Sequence, residues 1–90
     1  MKREKQIEIL IEDGCTKSEA ERFLKNGTTV YNDFEENFYK YMEEWKSSYS
    51  GEEYDELVSG FKEMIETAIP VTDWGVVKLD GKTYYIMYVN

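Results

Sequence analysis

The sequence contains nineteen acidic side chains and a single cysteine, but no histidine. Without an imidazole there is no ordinary general base near neutral pH, no Ser-His or Cys-His nucleophile pair and no imidazole ligand for zinc. Two carboxylates can divide the roles of acid and base only in a shaped, partly dry cleft, and these carboxylates fall on the polar sides of the expected helices. We therefore expect a protein that is not an enzyme, with no catalytic residue, no metal site and no cofactor.

The one thiol belongs to Cys15, just ahead of an expected helix start. A reactive thiol is one interpretation of that position, and a small half-buried turn residue is the other. A single cysteine cannot form an internal disulfide, which is typical of a reducing compartment. The amino-terminal stretch MKREKQIEIL lacks the apolar run of a signal peptide, and no stretch approaches the ~20 apolar residues that cross a bilayer. We expect a cytoplasmic protein without a membrane partner.

The acidic residues are concentrated in the middle of the chain. The net charge is −8, and residues 31–73 carry twelve acids and three bases, whereas residues 1–27 carry six of each. The field of such a segment repels nucleic acid and anionic membranes and attracts a basic partner. We expect that partner to be a basic protein surface, with no direct binding to nucleic acid.

A row of carboxylates is expected on the back of an amphipathic helix over residues 50–69. At about 100° per residue its acids share an arc of about 100°, opposite an apolar face. Rigid rows of carboxylates can imitate the spacing of backbone phosphates and occupy a basic groove built for DNA or RNA. A run of charge can also be no more than a solubilising face, and the sequence leaves both interpretations open. The predicted partner-binding residues, three of them from the preceding helix, are Glu36, Glu43, Glu44, Glu52, Asp55, Glu56, Glu63 and Glu66.

These carboxylates need elements to hold them, and ninety residues are enough for one domain with a modest core. The apolar periodicity predicts an α+β fold of four helices followed by a carboxy-terminal antiparallel β-hairpin. The predicted segments are a helical hairpin over 1–27, a central aromatic helix over 28–48, the acidic amphipathic helix over 50–69 and the β-hairpin over 71–90.

The central helix is predicted from an aromatic stripe at steps of three and four residues. Its apolar members are Tyr31, Phe34, Phe38, Tyr41, Met42 and Trp45. Two other helix starts are indicated by capping-box spacing, Thr16 with Glu19 and Ser50 with Glu53. Gly14 is expected to end the first helix, since glycine readily adopts the left-handed conformation found there.

The β-hairpin is predicted about Asp80-Gly81, the signal of a two-residue type I′ turn. The expected register places Leu79 opposite Lys82, Val77 opposite Tyr84 and Trp74 opposite Met87. Both faces of this ribbon are apolar, and a lone ribbon can cover only one of them with its own helices. The other face or a free edge would then be open to another chain, so the alternative function is a generic interaction adaptor or a homodimer that binds through this tyrosine-rich β-hairpin or through the helical hairpin. The candidate interface residues are Trp74, Tyr84, Tyr85 and Tyr88.

Parts of the sequence resemble known families. The stretch ILIEDGCTKSEAERFLKNG is similar to the first half of ubiquitin-associated-type three-helix domains and more loosely to a helix-turn-helix, although the balanced charge of its second helix disfavours DNA reading. The stretch GCTKSEAERFLKNGTTVYNDFEENFYKYMEEW, with the closing DWGVVKLDGKTYYIMYV, resembles a family of small acidic proteins of unassigned function carried by phages and other mobile elements of gut Firmicutes. This resemblance implies a mobile-element setting and brings no catalytic residues. Phage-borne inhibitors of restriction and CRISPR enzymes often occupy basic nucleic-acid-binding surfaces, so the setting favours an anti-defence inhibitor.

Overall fold

The computed structural model describes residues 1–90, which form four α-helices and a three-stranded antiparallel sheet. In chain order the elements are α1 (Arg3–Glu12), α2 (Lys17–Lys25), β1 (Thr29–Tyr31), α3 (Phe38–Trp45), α4 (Gly51–Thr67), β2 (Trp74–Leu79) and β3 (Lys82–Met87). A short 3₁₀ turn, Lys46–Ser48, joins α3 to α4. The α+β class and the carboxy-terminal hairpin predicted from the sequence are confirmed.

The boundary between the first two helices is set by local chemistry. At the start of α2, the Thr16 hydroxyl accepts a hydrogen bond from the Glu19 N–H at 3.1 Å. The Glu19 carboxylate in turn accepts one from the Thr16 N–H at 2.9 Å, so the predicted capping box is complete. Gly14 follows α1 with a φ of +105°, a conformation that other residues rarely adopt.

The acidic helix α4 begins and ends near the predicted residues. The Ser50 hydroxyl accepts a hydrogen bond from the Glu53 N–H at 3.3 Å and donates one to the Glu53 carboxylate at 2.9 Å, so only half of the capping box forms. The residue after the helix, Ala68, has a left-handed φ of 60°. Pro70 follows two residues later and cannot continue a helix.

The central helix is shorter than its aromatic stripe predicts. Residues Thr29–Tyr31 form β1, and α3 begins only at Phe38. β1 pairs antiparallel with β3, where Val30 lies opposite Ile86. The β-branched run at 28–30 favours a strand, and its pairing partner lies far along the chain, beyond the reach of a periodicity in one window. The prediction of a helix was therefore wrong for residues 28–37.

The hairpin has the register that its turn predicts. Leu79 lies opposite Lys82, Val77 opposite Tyr84 and Trp74 opposite Met87. Asp80 and Gly81 have φ values of 53° and 76°, and positive values at both positions are what a type I′ turn requires. The predicted pairing is therefore confirmed.

Helices cover both faces of the sheet. On one face α1 and α2 pack in a core of Ile9, Leu10, Ala20, Val30, Val77, Tyr84 and Ile86. On the other, α3, α4 and the segment 32–37 pack in a core of Phe34, Phe38, Met42, Phe61, Met64 and Tyr85. The expectation that one apolar face would stay open for another chain is therefore wrong. The third strand widens the ribbon, so each pair of helices has a surface to cover.

Candidate protein-binding surface

The eight acids predicted to bind a partner are all exposed. They are Glu36, Glu43 and Glu44 on or just before α3, and Glu52, Asp55, Glu56, Glu63 and Glu66 on α4. None of their carboxylates makes a salt bridge or a hydrogen bond, and the only two ion pairs of the protein join Lys5 to Glu8 at 3.8 Å and to Asp80 at 3.5 Å. No ion pair within the chain therefore neutralises any of these eight carboxylates.

The sheet separates two layers of different charge. The layer of α1 and α2, residues 1–27, carries six acids and six bases. The segment 31–73, which supplies the layer on the opposite face, carries twelve acids and three bases. The uneven distribution along the chain thus becomes an uneven distribution in space, and a basic surface is attracted to one side of the protein.

Two acids of the segment 32–37 have structural roles instead. Asp33 accepts hydrogen bonds from the Tyr41 hydroxyl at 2.7 Å and from the Asn37 side-chain amide at 3.0 Å. Glu35 accepts one from the Tyr85 hydroxyl at 2.5 Å. Neither acid belongs to the predicted partner-binding set. The acids that hold the fold and the acids on the open surface are therefore different residues.

Three tyrosine hydroxyls in this layer, those of Tyr31, Tyr41 and Tyr85, are held in their neutral form. The hydrogen bond to Asp33, together with burial, raises the pKa of Tyr41 to about 12. Burial and the hydrogen bond to Glu35 raise the pKa of Tyr85 far above its ordinary value. Burial also raises the pKa of Tyr31. At neutral pH these hydroxyls are uncharged donors, and they add nothing to the negative field.

The aromatic residues proposed as an interface on the hairpin are largely enclosed. Tyr84 is 7% exposed and Tyr85 is 1% exposed, each in the core on its own face of the sheet. Trp74 is half-buried and stacks on Tyr31 with ring centroids 5.8 Å apart. Tyr88 is half-buried against the core of α1 and α2. This corrects the interface interpretation for Tyr84 and Tyr85, which are core residues.

A groove that the sequence analysis did not find runs along α4, and we call it the α4 groove. Its centre has a volume of about 380 Å³ and is lined by Tyr49, Glu53, Glu56, Leu57, Gly60, Phe61 and Val71. Two cavities of about 190 Å³ continue it, one over Trp74 and Met87 and the other beside Ile69 and Pro70. Half of the residues that line the α4 groove and its two continuations lie before or after α4 in the chain. The helical periodicity within α4 gives no indication that these residues pack beside it. The only local signal was Gly60, which interrupts the helical pattern.

Cys15 is a half-buried turn residue. Its Sγ lies 3.8 Å from the Tyr88 hydroxyl, and burial raises the pKa of the thiol, so the thiol is protonated at neutral pH. These surroundings favour the turn interpretation over a reactive thiol, which needs a lowered pKa. No group of three or more cysteine, aspartate or glutamate side chains is arranged to hold a metal ion. No helix combines the length and the apolar character that a membrane crossing needs.

Comparison of the chain with family models, with curated proteins and with solved structures gives no match. The resemblance to the mobile-element family stays a prediction from the sequence. A functional proposal for this chain therefore rests on the geometry and charge of its own residues.

Proposed function

We propose that this protein acts without chemistry, by binding a basic protein surface through its acidic layer. The observation that supports this most is that the eight exposed acids make no ion pair and no side-chain hydrogen bond within the chain. Like charges held on one helix face repel one another, and the isolated fold gains nothing from that arrangement. A basic partner relieves the repulsion, so the same surface that costs the free protein stability favours a complex.

The acidic row on α4 is a rigid line of negative charge, as one nucleic-acid strand is. Its five acids run from Glu52 to Glu66, a difference of 14 positions, which is about 21 Å of helix at about 1.5 Å per residue. The mean axial step between neighbouring charges is thus about 5 Å, which is wider and less regular than the axial step of about 3.4 Å between phosphates of one DNA strand, because the gaps in the row are 3, 1, 7 and 3 positions. We propose that α4 takes the place of such a strand in a basic groove. The protein would then be an inhibitor of the anti-defence type that a mobile-element setting favours.

Competition for a basic site tests this proposal. Fluorescence anisotropy can follow a labelled DNA duplex on purified restriction and RNA-guided nucleases while this protein is added. We expect displacement from at least one nuclease, and direct binding of this protein to that nuclease that is weaker at physiological than at low salt because the contacts are between charges. Displacement from none of them at low salt, direct binding that does not respond to salt, or binding of the duplex by this protein itself would contradict the proposal.

A free strand edge supports a second candidate, an adaptor or homodimer that pairs through the hairpin. In the sheet order β1-β3-β2, strand β2 lies at an edge. The alternation of the antiparallel ladder turns the backbone groups of Val76 and Lys78 outward, where no hydrogen bond reaches them. Another strand could pair there, although a lysine on an edge is also a common protection against pairing. Sedimentation equilibrium at high protein concentration tests the homodimer, since a monomer under these conditions would rule it out.

A further inference from the structure

The α4 groove is apolar along its floor, and its apolar area extends to the surface. Leu57, Phe61 and Val71 line the centre. Two of the six exposed large apolar side chains of the protein border the groove, Tyr49 at 42% and Ile69 at 69% exposure. Scattered apolar residues on a surface are ordinary, but these are continuous with an open cavity. The groove therefore offers apolar contact area that the fold itself does not use.

The charge of the groove has one sign. Glu53 and Glu56 line its centre and Glu63 lines one end, while no lysine or arginine lines any part of it. An acidic occupant would be repelled by these carboxylates. A purely apolar occupant would remove water from them without supplying a hydrogen bond or an opposite charge. An occupant that carries positive charge beside an apolar group complements both the floor and the rim.

Gly60 keeps the centre of the groove open. It lies in the interior of α4, where glycine weakens a helix. A Cβ atom added to it would meet no atom closer than Val71 Cγ1, at 4.0 Å, so close packing does not demand a glycine. A larger side chain at this position would instead point into the groove. The glycine is therefore explained by the open groove and not by the needs of the fold.

We propose that the α4 groove is the docking site for a short segment of the basic protein partner. An aliphatic or aromatic side chain of that segment enters between Leu57, Gly60 and Val71, and lysine or arginine residues on either side of it meet the glutamates of the rim. The centre of the groove, at about 380 Å³, has room for one large apolar side chain. The inference rests on the proposed function and adds to it an apolar anchor. Charge attracts the partner, and the groove selects the segment that binds.

Two synthetic peptides separate the anchor from the charge. Both are short runs of lysine and arginine, with phenylalanine at the centre of one and serine at the centre of the other. We expect the phenylalanine peptide to bind about tenfold more tightly or better, because burying its ring contributes at least that much affinity. It should also shift the methyl NMR signals of Leu57, Ile69 and Val71. Both peptides should lose affinity with salt in parallel, since their charges are equal.

Each other outcome of the peptide experiment has a definite meaning. Equal affinities would overturn the groove as a docking site but leave the proposed function standing, since the acidic layer would then act alone. Binding of neither peptide at low salt would overturn the groove and count against the proposed function as well. Shifts of the same methyl signals with protein concentration, in the absence of peptide, would overturn the inference in favour of a second copy of this chain.

A matched pair of variants tests the position of the anchor. Gly60→Leu fills the groove, and Ser59→Leu adds the same side chain one residue away, on the exposed back of α4. Leucine is the better helix former in both cases, so both proteins should fold, which circular dichroism checks. We expect Gly60→Leu to abolish the preference for the phenylalanine peptide and Ser59→Leu to keep it. A preference that survives in folded Gly60→Leu would overturn the inference.

A smaller substitution covers the case in which Gly60→Leu does not fold. Gly60→Ala adds a Cβ that the structure accommodates, and it narrows the groove by one methyl group. We expect the preference for the phenylalanine peptide to fall severalfold in this variant. An unchanged preference would overturn the inference in the same way.

Discussion

The hydroxyl of Tyr85, in the centre of β3, donates a hydrogen bond to Glu35 Oε1 at 2.5 Å. The two residues are 50 positions apart, and the bond joins the segment 32–37 to the sheet. The ring of Tyr85 also contacts Phe34 in that segment, with centroids 5.3 Å apart. The segment consists of turns and bends, so these contacts from β3 determine where it lies.

Substitutions of Tyr85 separate its hydroxyl from its ring. We expect Tyr85→Phe to fold and to lose about 1 kcal/mol of stability, because Glu35 is exposed and water can replace the hydroxyl. Tyr85→Ala should cost about 3 to 5 kcal/mol, because a side chain that is 1% exposed leaves a cavity behind. Urea unfolding measures both losses. A Tyr85→Ala protein of nearly wild-type stability would show that this residue belongs to an interface and not to the core.

Tyr41 and Tyr85 should make the fold sensitive to alkaline pH. In the folded state the pKa of Tyr41 is raised to about 12 and that of Tyr85 is raised further, whereas tyrosine in an unfolded chain ionises at about pH 10. The folded protein therefore holds these protons more tightly than the unfolded chain. This contribution to stability is fully present below about pH 10 and is lost as the pH rises towards the folded pKa values.

Urea unfolding at a series of alkaline pH values, with tyrosinate absorbance recorded in parallel, measures this decline. We expect Tyr41→Phe to make the decline shallower, because it removes one of the raised pKa values. Tyr39→Phe is the matched control, since it removes the hydroxyl of a tyrosine that is 69% exposed and makes no side-chain hydrogen bond. An identical slope in Tyr41→Phe and the wild type would refute the assignment to Tyr41.

Two glycines should respond to alanine in opposite directions. Gly60→Ala puts a methyl group into a helix interior with no neighbour closer than 4.0 Å, so we expect a gain of about 0.5 to 1 kcal/mol. Gly75→Ala would place a Cβ against the Asp13 carboxylate and the Tyr88 ring, which are hydrogen-bonded to each other. We expect a loss of about 1 to 3 kcal/mol there. Thermal unfolding of the pair tests the contrast, and changes of the same sign would contradict it.

Reversal of three charges tests the acidic row on α4. Replacing Glu52, Glu56 and Glu63 with lysine relieves repulsion along the row and leaves the apolar face of α4 untouched. We expect stability within about 0.5 kcal/mol of the wild type, because the lost favourable charge near the helix start offsets part of that relief. Binding to the lysine- and arginine-rich peptides, measured by titration calorimetry, should fall about tenfold or more.

A second triple variant controls for net charge. Replacing Glu4, Glu12 and Glu21 with lysine changes the charge by the same amount, but on exposed positions of α1 and α2. We expect this variant to keep most of the affinity at physiological salt, since those positions lie on the other side of the sheet. Equal losses in both variants would mean that total charge alone governs binding. If neither variant lost affinity for the peptides, the acidic row on α4 would be only a solvated face.

The sequence by itself determined the elements that depend only on residues close together in the chain. The capping box of Thr16 and Glu19 closes within one helical turn. The type I′ turn at Asp80 and Gly81 is made by two adjacent residues, and the hairpin register follows from it. The exposure of the acidic row on α4 was predictable for the same reason, since helical periodicity alone decides which residues share a face.

The path of residues 28–37 was decided only by the tertiary structure. Tyr31 and Phe34 keep a helical spacing with the aromatic residues that follow, yet one lies in a strand and the other in a turn. Pairing of β1 with β3 outweighs that local preference, because its hydrogen bonds and buried side chains come from a partner more than 50 residues away.

The burial of the hairpin and the existence of the α4 groove also required the fold. The third strand gives each helix pair a face to cover, so Tyr84 and Tyr85 became core residues of two separate clusters. The groove exists because the segments that carry Tyr49 and Val71 pack beside Gly60. Contacts of this kind depend on which distant parts of the chain meet, and the pattern of residues within a single helix or strand does not contain that information.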